Sequence, residues 1–254
     1  MSRSTKLTLD ILLGAVVPIL ILSYLTDPLG AVPAYLLSAL IPVGWVAVDL
    51  LFITRRLNVI TGFLGLNAVA RGLLAFWFVD GTLYAFKDSV GAILAVLVFG
   101  GSLFVGRPVV RAFAEQSLDP RTPEQESALG RLFSERSVVR ALFWSTAVLA
   151  VVFAVTGVAN FVLNLWIVTA PFGADAFNVQ VAQVNAITRI ALAVPEFIAW
   201  GIALYLIFHA IHTQLPTATK DQNFWDLVAE REAENEARSD PPNRNPIRAE
   251  GSNE

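Results

Sequence analysis

Six long apolar stretches dominate this chain, at residues 7–25, 31–53, 59–79, 90–105, 141–169 and 187–209. A bilayer's hydrocarbon core is about 30 Å thick, so a spanning helix needs about 20 mostly apolar residues. Each stretch meets or nearly meets that length, and a water-soluble core of this size cannot hide them all. In lipid every backbone N–H and C=O must be satisfied within its own segment or a closed barrel, and the alternating pattern of a membrane barrel is absent. The expected fold is therefore all-α: a polytopic membrane protein whose residues 1–212 form a bundle of six transmembrane helices.

Composition agrees. Charged residues make up 15% of the chain and hydrophobic ones 55%, against about 25% charged in an average soluble domain. The net charge of −3 conceals an asymmetry, because the apolar part has basic loops and the last forty or so residues are acid-rich. The absence of Cys excludes disulfides, thiolate metal sites and cysteine catalysis. Arg3 and Lys6 ahead of an apolar run resemble a signal peptide. Asp10 interrupts that run and no small-x-small cleavage site follows, so the first stretch reads as an uncleaved helix.

Loop charge sets the expected orientation. All but three of the 18 Lys and Arg residues fall on the face that holds the N-terminus. They include Arg55 and Arg56, the six arginines from Arg107 to Arg140, and those of the C-terminal tail. The exceptions are Lys87, on an outer loop, and Arg71 and Arg189, in or beside helices. Both termini are expected in the cytoplasm (N-in/C-in). Short outer loops at 26–30, 80–89 and 170–186 leave no room for an external catalytic or receptor domain.

The loop at 106–140 is the longest. Asp119, Pro120 and Pro123 break it. Beyond the break, Leu129, Leu132, Phe133, Val138 and Val139 among charges suit either an amphipathic helix on the inner leaflet or a solvated connector. Residues 213–238 read as a cytoplasmic helix with Phe224, Trp225, Leu227 and Val228 on one stripe, followed by acids. The composition of 239–254 is that of a disordered tail.

A charge at mid-bilayer costs about 2.5–3.5 kcal/mol on insertion scales and needs a partner or a wet cavity. Arg71 and Glu196 lie about 12 Å and about 13 Å below the outer face at ~1.5 Å per residue. Matching depth and opposite sign predict an ion pair between the third and sixth stretches, with Asn67 one turn from Arg71 completing a polar cluster. Such a cluster serves either as a packing clasp or as a transport site. Pro195 removes a backbone donor beside Glu196 and frees a carbonyl near Leu192. Secondary polar positions are Asp49, expected to reach Arg55 and Arg56; Asn160 and Asn164, one turn apart; and Lys87 and Asp88 at the outer face. Arg189 is expected to reach headgroups. Gly157, Gly100 and Gly101 allow close helix approach.

Catalytic motifs are missing. There is no GxxxxGK[ST], HExxH or GxSxG. Ser102 with His209 and His212 forms no supported catalytic set, and the His pair lacks a carboxylate or Cys partner for a metal. No enzyme activity, metal or cofactor is expected.

The string Tyr84, Ala85, Phe86, Lys87, Asp88, Ser89, Val90, Gly91 leads into an apolar helix ending Gly106, Arg107, Pro108. Phe143 and Trp144 follow, then Gly157, Val158, Ala159, Asn160, Phe161, and then Asp175, Ala176, Phe177, Asn178. This succession, with Arg55 to Asn58, resembles bacterial intracellular septation protein A and its larger multi-pass relatives over about residues 10–212. A basic residue after the Asp-x-aromatic step is absent here, the 106–140 loop is longer and the acidic tail is extra. The resemblance implies an inner-membrane protein tied to cell-envelope synthesis or septation through protein contacts. The first functional expectation is thus a non-enzymatic scaffold, with the lipid bilayer, envelope or division membrane proteins, or a second copy of itself as partners, and no nucleic acid. The alternative is a small transporter or lipid flippase working through Arg71, Asn67 and Glu196.

Overall fold

The computed structural model describes residues 8–10, 12–54, 59–217 and 222–239. Among the described residues every regular element is helical. We number the principal helices α1 (Val17–Tyr24), α2 (Ala31–Val48), α3 (Val59–Ala75), α4 (Gly81–Asp88), α5 (Val90–Phe104), α6 (Val109–Leu118), α7 (Pro123–Leu132), α8 (Arg136–Ile167), α9 (Asp175–Ala191), α10 (Ala193–His212) and α11 (Phe224–Ser239). π-helical turns at Leu12–Val16 and Asp49–Thr54 extend α1 and α2.

Three helical segments are long and apolar enough to cross a membrane: Ala31–Ile53, Arg136–Ile167 and Asp175–His212. The α4–α5 pair, bent by 47° at Ser89, makes a fourth if taken as one span, while Thr8–Tyr24 and Gly62–Ala75 are shorter apolar helices. Large apolar side chains such as Leu73, Phe104, Trp166, Ile190 and Phe197 stand on the outside. In water such a surface would drive association; against lipid it is the expected solvent-facing surface.

Two segments expected as outer loops are helices. Residues 80–89 contain α4, and the last long helical segment begins at Asp175 rather than near 187. Both mix polar with apolar side chains, so they lack the continuous hydrophobicity of a lipid-facing helix. They fold because their polar residues are turned inward to partners. α9 buries Phe177, Asn178, Val181, Val184 and Thr188. Between α9 and α10 the helix breaks at Leu192. Pro195 has no N–H for the carbonyl of residue 191, which accounts for the break; the Leu192 carbonyl still accepts from the Glu196 N–H at 3.4 Å.

Packing is organised along α8, whose 32 residues span about 48 Å. Its first half joins a cluster containing Phe99 of α5, Leu129 and Leu132 of α7, and Ala203, Ile207 and Ile211 of α10. Near its end, Leu163, Ile167 and the following Val168 join a second cluster with Leu22, Tyr35, Tyr84 and Phe177. α5 approaches α8 closely where Gly157 faces Ala92; a β-carbon on Gly157 would lie 2.7 Å from that of Ala92.

The expected inner-leaflet helix corresponds to α7, capped by Thr122, whose side chain accepts from the Gln125 N–H at 3.3 Å, with Pro123 in the first turn. Its apolar side chains face protein rather than lipid: Leu129, Leu132, Phe133 and the following Val138 are fully buried. α11 closes over the same cluster through Val228, with Phe224 and Trp225 packed against it. Arg131 pairs with Glu232 at 2.7 Å, and Arg231 pairs with Glu135.

Candidate functional site

A pocket of about 620 Å³ lies among α1–α5 and α8–α10. α3 contributes Asn67 and Arg71; α4 contributes Tyr84, Lys87 and Asp88; α9 contributes Asn185 and Arg189; α10 contributes Glu196. Tyr35 and Ser38 from α2, Ser89 at the α4–α5 bend, Gly91 from α5, Thr156 and Asn160 from α8, and Thr188 from α9 also line it. Five charged side chains from four helices thus share one concavity in an otherwise apolar bundle, three cationic and two anionic.

The central sequence-derived cluster of Arg71, Asn67 and Glu196 is brought to this pocket. The pairing inside it differs from expectation. Arg71 Nε donates to Asn67 Oδ1 at 3.2 Å, one helical turn away. Glu196 Oε1 accepts from Thr156 Oγ1 of α8 at 3.0 Å. Among the described residues no ion pair joins Arg71 to Glu196. Equal depth set both on one level of the bundle, but Thr156 is the nearer donor for Glu196, and Arg71 is turned against α5. Its guanidinium lies so close to Gly91 that a β-carbon there would come within 2.5 Å of Nη2.

The secondary positions fall into two groups. Asp88, Lys87, Asn160 and Asn164 form a network at the α4–α8 contact. Asp88 Oδ2 accepts from Asn160 Nδ2 and from Asn164 Nδ2, each at 3.0 Å. Asn160 Nδ2 also donates to Ser89 Oγ at 3.1 Å, and Asn164 Nδ2 to the Asn160 carbonyl at 2.9 Å. Asn164 is buried and its Oδ1 has no partner. Lys87, expected at the outer surface, is only 5% exposed. Its Nζ donates to the Trp77 carbonyl at 2.6 Å and sits 4.9 Å from the Tyr35 ring centre and 5.6 Å from that of Tyr84. Aromatic faces are a favourable site for a cation held away from water. Asp49 does not line the pocket; it begins the π-helical turn after α2, and its expected partners Arg55 and Arg56 lie outside the described residues.

Arg189, expected to reach headgroups, also lines the pocket, near enough to feel repulsion from Arg71 and attraction to Asp88. A signal existed: Asn185, Arg189 and Glu196 are spaced by four and seven, which places them along one helix face. Thr156, Tyr35 and Gly91 carry no charge to draw attention in a sequence, and only packing puts them here.

The remaining candidates are structural in their contacts. Ser102 Oγ donates to the Phe99 carbonyl at 2.7 Å and accepts from the Val109 N–H at 3.0 Å, bridging α5 to α6. His209 stacks on Tyr205. Among the described residues there is no group of three or more His, Asp or Glu able to hold a metal.

Of the string from Tyr84 to Gly91, Tyr84, Lys87, Asp88, Ser89 and Gly91 line the pocket, and Phe177, outside it, packs edge-on against Tyr84 at 5.0 Å. Asn178 donates to Thr26 Oγ1 and to the Ala31 carbonyl, tying α9 to the start of α2. No protein-family model, curated protein or solved structure matches this chain.

Proposed function

We propose that this chain is a six-span protein of the bacterial cytoplasmic membrane, with both termini inside, that binds a small polar solute or lipid headgroup among its helices and moves it across the bilayer. The observation that carries this reading is the shared pocket of Arg71, Lys87, Asp88, Arg189 and Glu196. Charges in a bilayer are expensive, and they persist where they face a cavity that serves ligands or water. A packing clasp would match each cation to an anion, whereas here Arg71 and Glu196 have separate neutral partners. The one sharp helix bend supports the same reading: Ser89, at the 47° bend between α4 and α5, lines the pocket. Discontinuous helices around a midplane site are a recurring feature of secondary transporters.

The native chain has no thiol, so single cysteines at Ala68 and Ala193, two small residues lining the pocket, report its access to water. In sealed inside-out and right-side-out vesicles, a membrane-impermeant maleimide is expected to label both positions. Silence at both, with a loop control labelled, would rule out a ligand-accessible site. A C-terminal reporter active in the periplasm would overturn the orientation.

A scaffold role in envelope synthesis or septation is the second reading, favoured by the α7–α11 cap. That cap is a charged, folded platform built from the two segments that would lie in the cytoplasm. Crosslinking from native membranes through a photoreactive residue at Glu234 would return one reproducible partner under this reading and only lipid or self-crosslinks under the first.

A further inference from the structure

We infer that the ligand carries a carboxylate or phosphate group and that Arg71 and Arg189 together grip it. This rests on the reading of the pocket as a ligand site and specifies its chemistry. Hydrogen-bonding capacity decides the sign. Lys87 is engaged by the Trp77 carbonyl and two aromatic faces. The Asp88 carboxylate is held by two amides, and Glu196 by a hydroxyl. The carboxylates keep some acceptor capacity, but the guanidiniums hold the most unused capacity. Each has five N–H donors in a planar fork. Arg71 spends one on Asn67, and the Arg189 side chain makes no hydrogen bond among the described residues.

These two cations line one pocket and repel one another, a repulsion that Asp88 offsets only in part for Arg189. Two like charges with idle donors, set in an apolar bundle, are unfavourable until something neutralises both. Glu196 lines the same pocket but bonds to Thr156 instead of Arg71. An oxyanion neutralises both directly, because a carboxylate or phosphate accepts bidentate bonds from guanidinium and can bridge two of them. Gly91 fits this arrangement: it leaves the room in which the Arg71 fork lies, where any side chain would displace it. Both arginines line the pocket, which is open enough to one side for a ligand to enter. A volume of about 620 Å³ admits an acid group with a short organic remainder or a phospholipid headgroup. The acid group is common to both sources.

The test uses the full chain in phosphatidylcholine nanodiscs. Inorganic phosphate, glycerol phosphate and succinate are titrated by calorimetry, with choline chloride as the cationic control. In a parallel arm, phosphatidylglycerol replaces part of the phosphatidylcholine, and retained lipid is read by native mass spectrometry. A soluble ligand gives saturable binding of at least one free anion; a lipid ligand gives selective retention of phosphatidylglycerol. Either is expected to weaken about tenfold or more in Arg71→Gln and in Arg189→Gln, with partial recovery in Arg71→Lys and Arg189→Lys, which keep the charge and the fold. Choline binding as well as the anions, or anion binding indifferent to the Gln variants, overturns the anion inference and leaves the pocket reading intact. Labelled pocket cysteines with no anion or anionic lipid retained overturn it as well. Unlabelled pocket cysteines remove the reading beneath it.

Discussion

A β-carbon placed on Gly91 would lie 2.5 Å from Nη2 of Arg71, whereas one placed on Gly157 would lie 2.7 Å from Cβ of Ala92. The distances are alike but the neighbours are not. A guanidinium at the end of a long side chain can swing away; a β-carbon on a packed helix moves only with its backbone. Gly91→Ala should therefore leave stability nearly unchanged while displacing Arg71 from its seat. Gly157→Ala should force α5 and α8 apart and cost about 1–3 kcal/mol, as overpacking generally does. Unfolding in mixed micelles separates the two, and a Gly91→Ala protein as unstable as Gly157→Ala would refute the placement of Arg71.

Asp88 links α4 to α8 through the Asn160 and Asn164 amides, so the three side chains should behave as one unit. Interhelical hydrogen bonds in membranes are worth about 0.6–2 kcal/mol. Asn160→Ala and Asn164→Ala should each destabilise by that order in the native background and by distinctly less when Asp88 is already Ala. Additive losses in a double-mutant cycle would mean that the amides are not coupled through the carboxylate.

How far the sequence discloses this arrangement depends on what each residue's signal is made of. Apolar length announces the helices, because lipid contact requires a continuous stretch; α2, α8 and the long segment ending at His212 are legible for that reason. Charge at depth announces Arg71 and Glu196. Yet α4 and α9 read as loops, because a helix that buries Lys87 or Asn178 against protein looks no more hydrophobic than a turn. Partner choice was the least legible. Depth can be counted along a helix, but rotation and tilt decide that Glu196 meets Thr156 rather than Arg71. No one-dimensional pattern encodes the room that Gly91 leaves for a guanidinium.

Glu124 lies in the first turn of α7, where its own backbone N–H and the Thr122 hydroxyl favour the ionised form and hold its carboxyl below the ordinary glutamate value. A carboxylate whose folded pKa is depressed adds support that is complete above the unfolded value and is lost as pH falls through the folded one. Acidification below the usual carboxylate range should therefore fray the start of α7 before the transmembrane helices respond. Amide exchange at 124–127, corrected for intrinsic rates, should rise on acidification in the native protein. In Glu124→Gln that increment should vanish, and an unchanged pH response in the variant would assign the effect elsewhere.

The seat of α11 is held by two unlike forces, and their magnitudes decide which governs. The Arg131–Glu232 pair is 2.7 Å long, but its Arg131 side chain is 58% exposed, and such pairs typically contribute about 0–1 kcal/mol. Val228 is buried with Leu129, Leu132 and Phe133, and truncating a buried aliphatic side chain costs more than that, through lost transfer energy and the cavity left behind. Val228→Ala should loosen α11 more than Arg131→Ala, and only the effect of Arg131→Ala should fade in high salt. Protease cleavage near residue 217, which precedes α11, reads the opening directly. If Arg131→Ala exposes that site more than Val228→Ala does, the cap is an electrostatic latch and not a hydrophobic one.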